Sequence, residues 1–440
     1  MNSLKAGIAA LLGLFAVASV HAATTAIVHA TAWTLVDDEP LRDATIVITD
    51  GLIVSVAQGT APPAGARVID AKGSPVTPGI MHAATQIGLV EVSAATETVD
   101  HSAKPGGPGA GFDIQYAINA NSALIRLARA DGLTRAVTHP GNGGVAPFAG
   151  VGALLRFVET GDILERARVG VFATIGNRSA AASVGSRSAQ WQMLRTALDT
   201  AKVASAPKSA TAAGAAPSPS TATPATPAAS PLTPASPPDA APLDQVLSGK
   251  IPLVITTHRE SDVRQAAKLA QDYGIRVVIR GGAEAWRAAN ELAAAKVAVI
   301  LDPMSNLPYS FDELAARLDN AALLRKAGVT IAMSLDGVQS YNAGLSLREG
   351  AGLAVANGLP YIEGLRSIIS APAQIWGTAD RAGTLAAGKD ADIVVWDGDP
   401  LEPSSLATAV LIKGQEVSLT THQSELRDRY LPAIRAQARP

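Results

Sequence analysis

Four polar residues occupy equivalent places in a repeating pattern: His258, Arg280, Asp302 and Asp336. Each stands at the end of a short, β-branched apolar run, at 251–257, 276–279, 297–301 and 329–334. Their chemical uses differ. A carboxylate such as Asp336 can take a proton from water. The imidazole of His258 titrates near neutrality and can exchange one. The guanidinium of Arg280 can hold an anion in two-pronged fashion, and Asp302 adds a second carboxylate to the same ring. Each residue also has a plainer reading. Asp336 can cap the segment that follows it, His258 can be a hydrogen-bonded surface histidine, and Arg280 can form a structural ion pair with Asp302 or Asp336. The chain has no cysteine, which excludes disulfides, thiolate zinc sites and a cysteine nucleophile.

These residues need elements to carry them. The four runs are rich in Val and Ile and apolar on both faces, as strands buried between two layers are. The intervening stretches 261–274, 283–296 and 310–328 carry apolar residues at helical spacing, and Gly274 and Gly328 stand where helices stop. Strands alternating with helices predict parallel βα units. In a closed (β/α)8 barrel, residues just past the strands ring the catalytic mouth.

Upstream, residues 24–71 alternate apolar and polar positions, with Asp50-Gly51 as a hairpin dipeptide, and predict a small antiparallel β unit. Helices are expected over 119–131 and 190–201. A strand at 133–138 leads into His139-Pro140-Gly141, and a Gly-rich loop is expected over 142–152. Further helices are expected at 345–356 and 362–370, strands at 391–396 and 409–412, and an amphipathic helix at 422–436 packed on the outside.

With 440 residues and a formal net charge of −2, the chain suits neither nucleic acid nor an anionic membrane surface as partner. A hydrophobic content of 48% supplies a large core, and aromatics at only 4% suit alanine-rich βα layers. Residues 1–22 read as a secretory signal, with Lys5 ahead of an apolar stretch at 6–20 and Val20-His21-Ala22 as the cleavage site. A retained anchor helix is the alternative. Nothing later is long and apolar enough to span a bilayer, so the expectation is an exported protein, periplasmic in a Gram-negative cell. Residues 204–242 are almost entirely Ala, Pro, Ser and Thr. They predict a disordered insertion, or else a partner-docking tail.

Three separated motifs agree in order and spacing: IVITDGLIVSVAQG at 46–59, VTPGIMHAATQIG at 76–88 and AGTLAAGKDADIVVWDGDPL at 382–401. On them the chain, from about Thr24 to Glu416, resembles the metal-dependent amidohydrolase superfamily, in its imidazolonepropionase-like and Xaa-Pro dipeptidase-like branch. The resemblance implies a (β/α)8 barrel at 76–384, interrupted by the insertion at 204–242. It also implies a composite β-sandwich from 23–75 and 385–420, with a terminal helix at 421–440. It implies hydrolysis of non-peptide or cyclic-amide carbon–nitrogen bonds at one or two divalent ions, typically zinc, with no nucleic-acid partner and room for a homo-oligomer.

The family's ligands are a His-x-His pair ending the first strand, often a lysine, histidines ending the fifth and sixth strands and an aspartate ending the eighth. Here the pair falls on Ala84 and Gln86, the fifth position offers His258, the sixth falls near Arg280, and Asp336 in Ser334-Leu335-Asp336 matches the aspartate. A methyl cannot ligate and a guanidinium repels a cation. No metal ligand is therefore assigned, and zinc enters only through an altered set, of which His82, His139, His258 and Asp336 are one. The expected site is Asp336 and His258 as catalytic residues, with Arg280, Asp302 and Gln86 binding substrate. Asp336 would deprotonate water while His258 or Arg280 stabilises the oxyanion. Glu91 is a second acid or base in the first loop, and His29, His101 and His422 receive no role. Two rival readings remain: a barrel without turnover that binds a small anion, and a structural envelope component tethered by the Pro-rich insertion.

Overall fold

The computed structural model describes residues 24–143, 146–176, 184–205, 239–305, 307–335 and 342–437. The signal-like residues 1–22, residues 206–238 of the Pro-rich insertion, and Asp336 lie outside them.

The chain opens with β1 (Thr24–Ala32), β2 (Leu41–Thr49), β3 (Leu52–Gln58), β4 (Arg67–Asp70) and β5 (Pro75–Pro78). β1, β2 and β3 are antiparallel neighbours, whereas β4 and β5 both run parallel to β1, a mixture that alternation alone does not reveal. Asp50 and Gly51 join β2 to β3 with φ of 51° and 77°. A two-residue hairpin of that twist requires both positions in the left-handed region. A Cβ on Gly51 would also lie 2.9 Å from the Lys413 carbonyl oxygen.

The barrel follows: β6 (Ile80–Thr85), α1 (Ala123–Ala130), β7 (Leu133–Thr138), β8 (Phe148–Arg156), β9 (Leu164–Thr174), α2 (Arg187–Ser205), α3 (Ala240–Leu247), β10 (Leu253–Thr257), α4 (Glu260–Tyr273), β11 (Val277–Gly281), α5 (Ala289–Ala294), β12 (Ala298–Leu301), α6 (Asn320–Lys326) and β13 (Ile331–Met333). The eight strands β6 to β13 pair in sequence order, and β13 returns beside β6 to nearly close the ring. Among the described residues no helix is long and apolar enough to cross a membrane.

Two stretches differ from expectation. The Gly-rich segment 142–152 runs into β8, which is antiparallel to both β7 and β9. Glycine is depleted in strands and reads as loop. Here it permits close approach: a Cβ on Gly150 would lie 2.4 Å from the Phe112 carbonyl oxygen, and one on Gly152 2.6 Å from the Phe172 ring. The second is 310–328, where only α6 is helical. Residues 307–319 form a loop whose Asp312 and Glu313 are buried, so charge burial overrides helical spacing.

Inside the ring, Met81, Val137, Phe172, Val254, Val278, Ile300 and Ala332 form one apolar cluster. After α7 (Ala343–Ala356), α8 (Tyr361–Ile368) and α9 (Ser370–Ile375), Trp376 closes the barrel on the side of the strands' N-terminal ends. Its ring lies 6.0 Å from that of Phe172 and its indole N–H donates to the Ala83 carbonyl at 2.9 Å.

The last strands, β14 (Ile393–Trp396), β15 (Ala407–Ile412) and β16 (Gln415–Glu416), rejoin the first sheet, because β14 pairs with β5. A buried ion cluster bolts this sheet to the barrel. Arg135 donates to Glu165 at 2.8 Å, to Asp390 at 2.5 Å and to Asp392, and Arg156 and Arg381 also bind Asp390. Burial pushes the Asp392 carboxyl up to about 6, against the pull of Arg135. The helix α10 (His422–Gln437) was expected to pack on the outside. Its Leu426, Tyr430 and Ile434 are exposed, while Leu431 is half-buried.

Candidate active site

The C-terminal ends of the barrel strands surround a cavity of about 410 Å³. Strand register places its polar wall. Thr174 on β9 stands opposite Thr256 on β10, Thr256 opposite Arg280 on β11, Arg280 opposite Ile300 on β12, and Ile300 opposite Ala332 on β13. Paired residues share a face, and Ile300 and Ala332 belong to the interior cluster, so Arg280 points inward. Val254 and Val278, two residues earlier on the same faces, form the apolar floor beneath it. An apolar layer capped by Thr174, Thr256 and Arg280 therefore follows from the period of two. Arg280 donates to the Thr256 hydroxyl at 3.3 Å, and the Thr174 hydroxyl donates to the Asn142 side-chain oxygen at 2.7 Å.

Gln86, just past β6, also lines the cavity, as do Thr85, His101 and His139. The Nδ1 of His139 sits 2.8 Å from the Pro140 carbonyl oxygen. A carbonyl can only accept, so Nδ1 carries a proton. The His139 ring stacks on Phe172 at 5.1 Å. His101 arrives from the long loop after β6 and is fastened to the same wall, its carbonyl accepting from the Gly141 N–H at 2.9 Å. A Cβ on Gly141 would lie 2.2 Å from the His101 Nδ1, so this contact requires glycine. Burial holds the His101 imidazole below its ordinary range, with its own backbone and Asp100 opposing. It stays neutral at pH 7.

The predicted residues divide. Arg280 and Gln86 line the cavity. His258 and Asp302 do not: the His258 ring lies against Gly281, with Nδ1 4.0 Å from a carboxylate oxygen of the buried Glu313. Asp302 accepts from the Met304 N–H at 2.9 Å and starts a turn. Asp336 is outside the described residues, although its neighbour Leu335 lines the cavity. Glu91 accepts from the Asn119 amide at 3.0 Å, away from the cavity wall. His101 carried no sequence signal of its own. Only its place in a loop following a barrel strand pointed to the mouth.

A divalent ion would need several imidazole or carboxylate donors converging at the mouth. Ala84 is fully buried, Gln86 offers a neutral amide, and a guanidinium occupies the sixth-strand wall. Among the described residues no three His, Asp or Glu side chains converge on one point, so the altered set built on His82, His139 and His258 does not assemble from them. The donors described here do not fit a divalent ion.

Comparison with known proteins follows this geometry. Residues 255–423 match the sequence profile of the Amidohydrolase family. An amidohydrolase from Thermotoga maritima MSB8 superposes with a TM-score of 0.76, at 23% identity over 90% of this chain and 99% of that one. A prolidase complexed with N-methylphosphonate-L-proline superposes at 0.54 with 17% identity, over 90% of this chain and 99% of that one. Amidohydrolase tasK of Hapsidospora irregularis is 49% identical over 57 residues, 13% of this chain and 6% of that protein's length.

Proposed function

We propose that the chain is a hydrolase of the amidohydrolase superfamily, whose profile matches residues 255–423, and that it cleaves the carbon–nitrogen bond of a small amide that carries a carboxylate. The observation that supports this reading is the inward guanidinium of Arg280 on a wall shared with the imidazoles of His101 and His139. In this reading Arg280 binds the substrate carboxylate through charge-assisted hydrogen bonds. The Gln86 amide N–H polarises the scissile carbonyl. The lone pair of His139 takes a proton from water as its oxygen bonds the carbonyl carbon. The proton then passes to the leaving nitrogen as the C–N bond breaks. His101 supports His139 from the same wall, and Asp336 is retained as a further proton acceptor beside Leu335. His258 and Asp302, which do not line the cavity, are assigned no step. The poor fit of the wall to a divalent ion supports a depleted metal site. The composition of residues 1–22 supports an exported, periplasmic location.

The test is turnover of a panel of N-acyl amino acids, N-acyl-prolines included, together with metal analysis of the purified protein. Hydrolysis that survives chelation and is lost in Arg280→Met supports the reading. Stoichiometric zinc that disappears in Asp336→Asn overturns the depleted site and makes the protein a metalloenzyme. Binding of N-acyl amino acids without turnover, abolished by Arg280→Met, favours the second reading, a non-catalytic receptor for a small anion, which the same guanidinium supports.

A further inference from the structure

The loop joining β12 to α6 is patterned inside out. Leu307, Tyr309, Phe311 and Leu314 are 70%, 79%, 82% and 63% exposed, while Asp312 and Glu313 between them are buried. Nowhere else among the described residues do four exposed large apolar side chains fall so close together. The buried carboxylates anchor the loop beside the residues that follow β9 and β10. Arg187 binds both Asp312 and Asp262. Asp312 lies against Gly176, two residues past the cavity residue Thr174. Glu313 accepts from the Ser310 hydroxyl at 3.2 Å and faces His258, two residues past the cavity residue Thr256. The Ala315 N–H donates to Glu284 at 2.9 Å, and its carbonyl accepts from the Trp286 indole at 2.9 Å. The apolar side chains are thus carried on a stem anchored next to the strand ends that bear Thr174 and Thr256. Exposed clusters of this kind mark binding surfaces, and a preorganised one adds little ordering cost on binding.

We propose that Leu307, Tyr309, Phe311 and Leu314 form an acyl subsite, so that the substrate is an N-acyl amino acid with a long apolar acyl chain. The carboxylate end lies at Arg280, the amide crosses the cavity wall and the chain leaves across the rim. This deepens the reading under Proposed function and rests on it. Water adds its oxygen to the acyl carbon, the amide C–N bond breaks, the nitrogen takes the proton, and a fatty acid and an amino acid leave.

The experiment compares N-acetyl, N-octanoyl and N-decanoyl glycine by kcat/KM, and by calorimetric binding of the corresponding N-alkyl glycines, which have no amide to cleave. Wild type is compared with Tyr309→Ser/Phe311→Ser/Leu314→Ser, whose altered side chains are solvent-exposed and whose fold is checked by its unfolding midpoint. The expected result is a preference of at least about 10-fold for octanoyl over acetyl that falls towards unity in the triple variant, with the same trend in binding. A flat chain-length profile in both measurements overturns the subsite while leaving an Arg280-dependent hydrolase intact. Absence of turnover on every substrate defeats the hydrolase reading, and the binding series still decides the subsite. Wild-type adsorption to phosphatidylcholine vesicles or self-association, lost in the triple variant without any chain-length effect, identifies the patch as a membrane or copy interface and overturns the proposal.

Discussion

Replacing Arg135 by Met tests the ion cluster that joins the barrel to the second sheet. Arg135 is 2% exposed and serves Glu165, Asp390 and Asp392. Methionine keeps much of the volume and removes the charge. Asp390 retains Arg156 and Arg381, but Asp392 loses its largest attractive partner. Loss of one partner from a buried cluster costs about 3–5 kcal/mol. Asp392 has an escape, which is to take up a proton. With its folded pKa at about 6 when Arg135 is present, and higher without it, protonating it at pH 8 costs at most about 2.7 kcal/mol, and at pH 5 almost nothing. The sign follows from the raised value. This group's contribution to stability is fully present below about pH 4 and is lost as pH rises through about 6. Arg135→Met is therefore expected to cost about 3–5 kcal/mol at pH 8 and about 1–2 kcal/mol at pH 5. Urea unfolding followed by the fluorescence of the buried Trp376 and Trp396 measures both. In Arg135→Met/Asp392→Leu, with both charges gone, most of the pH dependence should vanish. A cost under about 1 kcal/mol at pH 8, or an equal cost at both pH values, refutes the account of the cluster.

Three further outcomes are expected. Arg280→Met should raise KM for carboxylate-bearing amides by about 10–100-fold, the loss of roughly 1.5–3 kcal/mol of charge-assisted hydrogen bonding, with little change in the unfolding midpoint; steady-state kinetics over the acyl series checks it. Gly141→Ala drives a methyl into His101 and within 2.5 Å of the Ser102 hydroxyl, so turnover should fall at least about 10-fold while stability drops by about 1–3 kcal/mol; unchanged turnover would remove His101 from the site. Dialysis against a chelator should leave hydrolysis within about 2-fold of its starting value, since a lost catalytic ion would cost several kcal/mol, and metal analysis of the dialysed protein gives the control.

The barrel was legible because its strands are apolar on both faces: the runs around Val254, Val278 and Ile300 have few other uses. The antiparallel β8 was not, since its glycines serve close packing against Phe112 and Phe172, and glycine in sequence signals a turn. The position of Arg280 followed from strand period alone. His101 was invisible because a loop of that length has no period, and only contact with Gly141 brings it to the wall. The buried charges of 312–313 misled the helical reading, because Arg187, which binds Asp312, and His258, which faces Glu313, lie far away in sequence.

β5 has one neighbour, β1, until β14 arrives to cover its other edge. At about 5–20 residues per second, synthesis leaves that edge bare for on the order of 15–60 s. An uncovered strand edge recruits other chains. A chain divided after the barrel would leave that edge of β5 without its β14 partner.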